Sequence, residues 1–121
     1  MKTILVVDDE KEIRELITRK LSKDFTVLST GSSEEALRIC RMNAPDLVLL
    51  DIAMPVIDGY AMGEKLRSDK NTENTPIVFL TGKGLDIEHI EQHCKDLGFC
   101  DYILKSASLS ELVAKIKEFL A

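Results

Sequence analysis

The sequence predicts an α/β fold, doubly wound, with one parallel sheet carrying helices on both faces. Short β-rich runs recur five times along the 121 residues. Between and after them, apolar residues repeat at intervals of three and four, the spacing of one helix face. Two of the runs, ILVV at 4–7 and LVLL at 47–50, are apolar on both sides, as central strands of a parallel sheet must be. Strict alternation of strand and helix then calls for right-handed crossovers.

The first strand is expected over 3–8. Ile13, Leu16, Ile17 and Leu21 mark the buried face of the first helix, and Asp9 with Glu12 three residues on makes a capping-box start. The second strand, 25–29, is more mixed around Val27 and Leu28, which suits an edge. Ser32 and Glu35 open the second helix, whose face is Ala36, Leu37 and Cys40. The third strand covers 46–51. The third helix, near 58–69, has the weakest pattern because Gly59 and Gly63 lower its propensity. SDKNTENTP at 68–76, polar and ending on Pro76, reads as a soft connection to the fourth strand at 77–81. Ile87, Ile90, Cys94 and Leu97 form the face of the fourth helix, followed by a strand at 100–104. Ser108 and Glu111 open the last helix, with Leu109, Leu112, Val113, Ile116 and Leu120 inward.

Composition narrows the function. The length suits a single domain, 1–121, with one real core. A net charge of −5 without a basic cluster argues against direct nucleic-acid binding. No stretch approaches the roughly 20 apolar residues of a membrane span. The apolar part of MKTILVVDDE is too short for a signal peptide, so a cytoplasmic location is expected. Cys40, Cys94 and Cys100 are odd in number and form no C-x-x-C pair, which favours reduced, packed thiols. His89 and His93 would share one face of a helix. Cys94 would point elsewhere and no carboxylate completes a ligand set, so this pair reads as a solvent-side face.

The chemistry lies at the strand ends. Asp8, Asp51, Thr81 and Lys105 each fall at or just after the C-terminal end of a different apolar run, and Asp9 adjoins the first. In an open parallel sheet that edge is where ligands bind. Any one of these residues alone would be a turn residue, a cap or a solvated charge. Together they form a site. Two carboxylates 4 Å apart repel by about 4 kcal/mol at an effective dielectric of 20, so a cluster of three must keep protons or bind a cation. Mg²⁺ suits one or two carboxylates and keeps waters, which leaves room for a phosphate oxygen. Lys105 can pair with phosphate and Thr81 can donate to it, while Asp51, ending the most apolar run, is the candidate nucleophile.

The stretches ILVVDDE, LVLLDIAMPVIDG, FLTGKG and DYILK resemble the receiver domain of two-component response regulators, and the likeness runs from Lys2 to Ala121. Single-domain chemotaxis-type regulators are similar throughout. The resemblance implies a flavodoxin-like sheet in order 2-1-3-4-5 with five helices, and a regulatory phosphoacceptor rather than an enzyme. It implies that Asp51 receives a phosphoryl group from a histidine kinase or histidine phosphotransfer protein. Mg²⁺ would be held by Asp9, Asp51 and the backbone carbonyl of Ala53, with Asp8 acting mainly through water. Lys105 would contact the phosphate, Thr81 would move toward it, and Tyr102 would be the aromatic switch. Kinase docking near the first helix and a switched surface near the fourth and fifth are implied too, with the output partner unspecified.

Three positions depart from the pattern. Ser106 stands where the family has a proline after a cis bond; a cis bond before a non-proline residue costs roughly 2.5–4 kcal/mol, so a trans Lys105–Ser106 bond and an altered loop are expected. Ala53 and Lys83 occupy the positions that tune phosphoryl lifetime, Ala53 without a polar group to orient water. A haloacid dehalogenase-type phosphatase would need D-x-D, which Asp51-Ile52-Ala53 lacks. A flavin site at STGSSEEA, 29–36, follows the second strand rather than the first, and helix capping accounts for it better. The alternative that survives is a degenerate receiver that binds a partner without being phosphorylated. No output domain follows the fifth helix, so the chain acts alone or is one domain of a longer protein.

Overall fold

A computed structural model describes residues 1–82 and 84–121. The elements run β1 (Thr3–Val7), α1 (Lys11–Leu21), β2 (Thr26–Thr30), α2 (Ser33–Asn43), β3 (Leu47–Asp51), α3 (Gly59–Arg67), β4 (Ile77–Thr81), α4 (Ile87–Leu97), β5 (Cys100–Leu104) and α5 (Leu109–Leu120). The strands pair in parallel in the order β2-β1-β3-β4-β5, the flavodoxin-like arrangement.

Strand alternation sorts the apolar residues into two cores. Leu5, Val7, Val48, Leu50, Ile77 and Phe79 face α2, α3 and α4 through Ala36, Cys40, Met62, Leu66 and Ile90. Ile4, Val6, Leu47, Leu49, Val78 and Leu80 face α1 and α5 through Ile17, Leu21, Leu112, Val113 and Ile116. Burial on both sides explains the unbroken apolar runs. β2 lies at an edge, with Thr26 and Ser29 exposed. Leu16 and Ile87, assigned to buried faces, are exposed instead. Leu16 adjoins Ile17 on α1, and only one of two residues a helical step of about 100° apart can point straight at the sheet.

Helix starts agree with the sequence at two places and differ at a third. The hydroxyls of Ser32 and Ser108 accept the N–H groups of Glu35 and Glu111, at 3.2 and 3.1 Å. Asp9 does not cap α1. The cap position is Glu10, without a side-chain bond, and the Asp8 carboxylate accepts the Glu10 N–H at 2.8 Å. The helix begins one residue later than the Asp9–Glu12 pattern requires, which leaves Asp9 outside it. α3 is better founded than its propensity suggests: Asp58 accepts the Ala61 N–H at 2.8 Å. Gly59 is required because a Cβ there would sit 2.6 Å from the Asp51 carbonyl oxygen and 2.7 Å from Ile52 Cα.

The connection at 68–76 is tied down rather than soft. Thr72 and Thr75 are buried, the Thr72 hydroxyl donates to the Leu66 carbonyl at 2.6 Å, and Arg67 donates to the carbonyls of Thr72 and Thr75. The histidine pair also departs from expectation, because His93 is half-buried with its ring stacked on Tyr60. All three cysteines are free; burial pushes the Cys40 thiol up to about 11, which keeps it unreactive. Among the described residues no helix is long and apolar enough to cross a membrane.

Candidate functional site

The parallel register brings the ends of β1, β3, β4 and β5 level. Val7 pairs with Leu50, Asp51 with Leu80 and Thr81 with Leu104, so Asp8, Asp51, Thr81 and Lys105 emerge at one edge. Carboxylate oxygens of Asp8, Asp9, Glu10 and Asp51 all lie within 4.8 Å of one another. Lys105 Nζ stands 3.2 Å from Asp8 Oδ2, 3.2 Å from Asp51 Oδ2 and 2.7 Å from Glu10 Oε1.

Each inner carboxylate is fixed by one oxygen and open at the other. Asp8 Oδ1 accepts the Glu10 N–H, and Asp51 Oδ1 accepts the Ala53 N–H at 3.2 Å. Their Oδ2 atoms are buried and, despite the nearby ammonium, have no hydrogen bond of acceptable geometry. Charge alone links them to Lys105. Among the described residues, four carboxylates against one ammonium leave the cluster short of positive charge. That deficit, and oxygen donors with free lone pairs, fit a hard divalent cation.

The electrostatics follow. Burial first, and the charge of Asp8 second, push the Asp51 carboxyl up to about 6, although Lys105 and the Ala53 N–H oppose the shift. Burial by itself would lower Lys105. Glu10, Asp51 and Asp8 outweigh it and hold the ammonium above its ordinary range.

Ser106 does not prevent Lys105 from reaching the acids. The Lys105–Ser106 bond is trans, as are all peptide bonds among the described residues, and the Lys105 N–H donates to the Thr81 carbonyl at 2.8 Å. Thr81 is buried at the edge, but its hydroxyl donates to the Gly82 carbonyl at 3.3 Å and, among the described residues, has no hydrogen bond to a carboxylate. Tyr102 is half-buried on β5 beside Phe79, with Lys115 Nζ 5.8 Å from its ring centroid. Ala53 is exposed, and Lys83 lies outside the described residues.

Glu10 is the site residue that sequence reasoning missed. It was visible as the third acid of Asp8-Asp9-Glu10, yet nothing in the spacing announces a partner 95 residues away. Val56 was missed as well. In the loop between β3 and α3 it holds φ 69°, although it is β-branched and 87% exposed. Left-handed backbone costs such a residue about 1–2 kcal/mol, and Val56 recovers little by packing. Val56→Gly is therefore expected to stabilise the protein by about 0.5–1 kcal/mol after the extra chain entropy of glycine. A lower midpoint in thermal or urea unfolding would contradict this.

The family model of the response regulator receiver domain matches residues 4–117. The chain belongs to that family. As a receiver it is a regulatory, phosphoacceptor domain of two-component signalling. The phosphate regulon transcriptional regulatory protein PhoB of Pseudomonas aeruginosa is 38% identical over 120 residues, 98% of this receiver and 52% of that protein. The probable transcriptional regulator ycf27 of Cyanophora paradoxa is 39% identical over 98% of the receiver and 48% of its own length. The receiver thus spans about half the length of these curated relatives. Among solved structures, the receiver domain of NtrX from Brucella abortus superposes with a TM-score of 0.86 at 30% identity, covering 97% of each chain. The chemotaxis protein CheY4 of Vibrio cholerae reaches 0.89 at 24% identity over 98% of each chain, a likeness of fold.

Proposed function

We propose that residues 1–121 act as one receiver domain in which Asp51 takes a phosphoryl group from a phosphohistidine of a histidine kinase or histidine phosphotransfer protein. The observation that carries this is the convergence of Asp8, Asp9, Glu10 and Asp51 with Lys105 at one sheet edge. A carboxylate oxygen of Asp51 attacks phosphorus, the P–O bond forms as the P–N bond breaks, and the electron pair leaves on the imidazole. Asp8, Asp9 and Asp51, with the Ala53 carbonyl, would hold Mg²⁺, which supplies charge neutralisation for the incoming phosphoryl oxygens.

In this reading Lys105 exchanges Glu10 for a phosphoryl oxygen, since an ammonium serves phosphate as a point charge. Thr81 gives up the Gly82 carbonyl and turns its hydroxyl to another oxygen, and Tyr102 follows into the space vacated. The new group brings about −1.5 to −2 charge, by analogy with ordinary phosphorylated side chains, enough to reorder neighbouring donors. An apolar pocket of about 210 Å³ beside Lys105, lined by Ile13, Leu16, Leu104 and Ala107 among others, suits docking of apolar side chains from the phosphodonor protein. The reading places the domain in the cytoplasm and acting through protein contacts.

Intact mass after incubation with Mg²⁺ and acetyl phosphate tests it. A single phosphate is expected on the wild type, dependent on Mg²⁺ and absent from Asp51→Asn. No transfer from acetyl phosphate or from a phosphorylated kinase domain would instead favour a module that binds its partner unphosphorylated.

A further inference from the structure

Away from the carboxylates, two imidazoles on α4 are arranged in a way that phosphoacceptor chemistry does not use. His89 and His93 are four residues apart and share one helix face. Their Nε2 atoms are 3.2 Å apart, whereas the ring centroids are 4.7 Å apart and the planes cross at 79°. The two nitrogens are therefore the facing edges of the rings.

That separation matches a chelate. Two nitrogens bound at 2.0–2.1 Å to a tetrahedral ion lie about 3.3 Å apart, and on adjacent corners of a square-planar or octahedral ion about 2.9 Å. The observed distance falls between these values, so little side-chain movement is needed. A single N–H···N hydrogen bond would also fit the distance, but the surrounding rings favour a prepared site. His93 is stacked on Tyr60 at 3.8 Å and 11°, and Tyr60 makes edge-to-face contacts with both His89 and the fully buried Phe79, each at 5.4 Å. One tyrosine, braced by the core, thus restrains both ligands and lowers the ordering cost of binding. Solvent reaches His89, which leaves coordination positions open to water.

We propose that His89 and His93 form a bidentate site for a divalent transition metal of the Zn²⁺, Ni²⁺ or Cu²⁺ class. Imidazole selects such ions over Mg²⁺, which takes oxygen ligands, so this site and the carboxylate cluster sort metals by softness. The inference is independent of the role given to Asp51.

The chain has no tryptophan and two tyrosines, so Tyr102→Phe leaves Tyr60 as the sole fluorophore that tyrosine excitation selects. Titrating that variant with Ni²⁺ in a large excess of Mg²⁺, added to compete at the carboxylates, should quench Tyr60 saturably at one equivalent. His89→Gln and His93→Gln, each added to Tyr102→Phe and checked for native circular dichroism, should each weaken that quenching roughly tenfold or more. His89→Gln is the sharper control because it leaves the His93–Tyr60 stack in place. Unchanged affinity in His89→Gln, or no saturable quenching in the parent, would overturn the proposal and leave a hydrogen-bonded histidine pair.

Discussion

Arg67→Ala is expected to cost the fold about 3 kcal/mol or more, and Arg67→Lys to recover little of it. Nε donates to the Leu97 carbonyl at 2.8 Å, Nη1 to Thr75 at 2.7 Å and Nη2 to Gly98 at 2.7 Å, with longer contacts to Thr72 and Phe99. One guanidinium at the end of α3 thereby holds the 69–76 connection and the turn between α4 and β5. That turn needs holding, because Gly98 and Phe99 both lie at positive φ, 68° and 47°. Bonds to a charged donor contribute about 1.5–3 kcal/mol singly but do not add, and their loss strands carbonyls that are partly shielded from water. Lysine brings its three donors to one point rather than along a planar fork, so a single ammonium does not reach all of these spread carbonyls. Urea unfolding provides the measurement; a loss below about 1 kcal/mol for alanine, or full rescue by lysine, would refute the account.

Asp51→Asn is expected to stabilise the metal-free protein by about 2–3 kcal/mol above pH 6, and hardly at all near pH 3. The Asp51 carboxyl titrates at 3.8 when unperturbed and at about 6 in the fold. Between those values the native state binds a proton that the unfolded chain releases, so wild-type stability falls as pH rises from 4 to 6 and stays reduced beyond. Asparagine has no charge to desolvate and removes that penalty. The check is the pH dependence of the difference in unfolding free energy, with chelator present. A pH-independent difference would mean that packing, not charge, is responsible. Under the proposed reading Mg²⁺ shrinks the gap, since it stabilises the ionised carboxylate of the wild type alone.

Much of this could be read from the residues because parallel strands are buried on both faces and end where ligands bind. ILVV and LVLL marked central strands, and Asp8, Asp51, Thr81 and Lys105 marked their ends, at positions that shifted by a residue at most. The strand order came from the resemblance, since periodicity says which residues are buried but not which strands are neighbours. What escaped involved partners without a local signature. Arg67 serves backbone carbonyls, which every residue has, and Glu10 reaches a lysine just past the last strand. Thr72 and Thr75 sit in a polar run yet are buried, because the guanidinium and the Leu66 carbonyl satisfy their polar groups. Asp9 failed as a cap because α1 starts one residue later, with Glu10 at the cap position.

The strand order also sets a sequence of assembly. β2, β1 and β3 are neighbours and come from the first 51 residues, after which β4 and β5 each add beside the strand before. An emerging chain can therefore build its sheet outward without waiting for its C-terminus. The acids of β1 and β3 meet in that early half, whereas the ammonium that faces them arrives only with β5. Any partly folded form lacking the last strand carries a concentrated negative charge at the carboxyl ends of its central strands. Docking of β5 then relieves part of the repulsion as well as burying apolar surface, so closure of the fold and the first easing of charge at the site are one event.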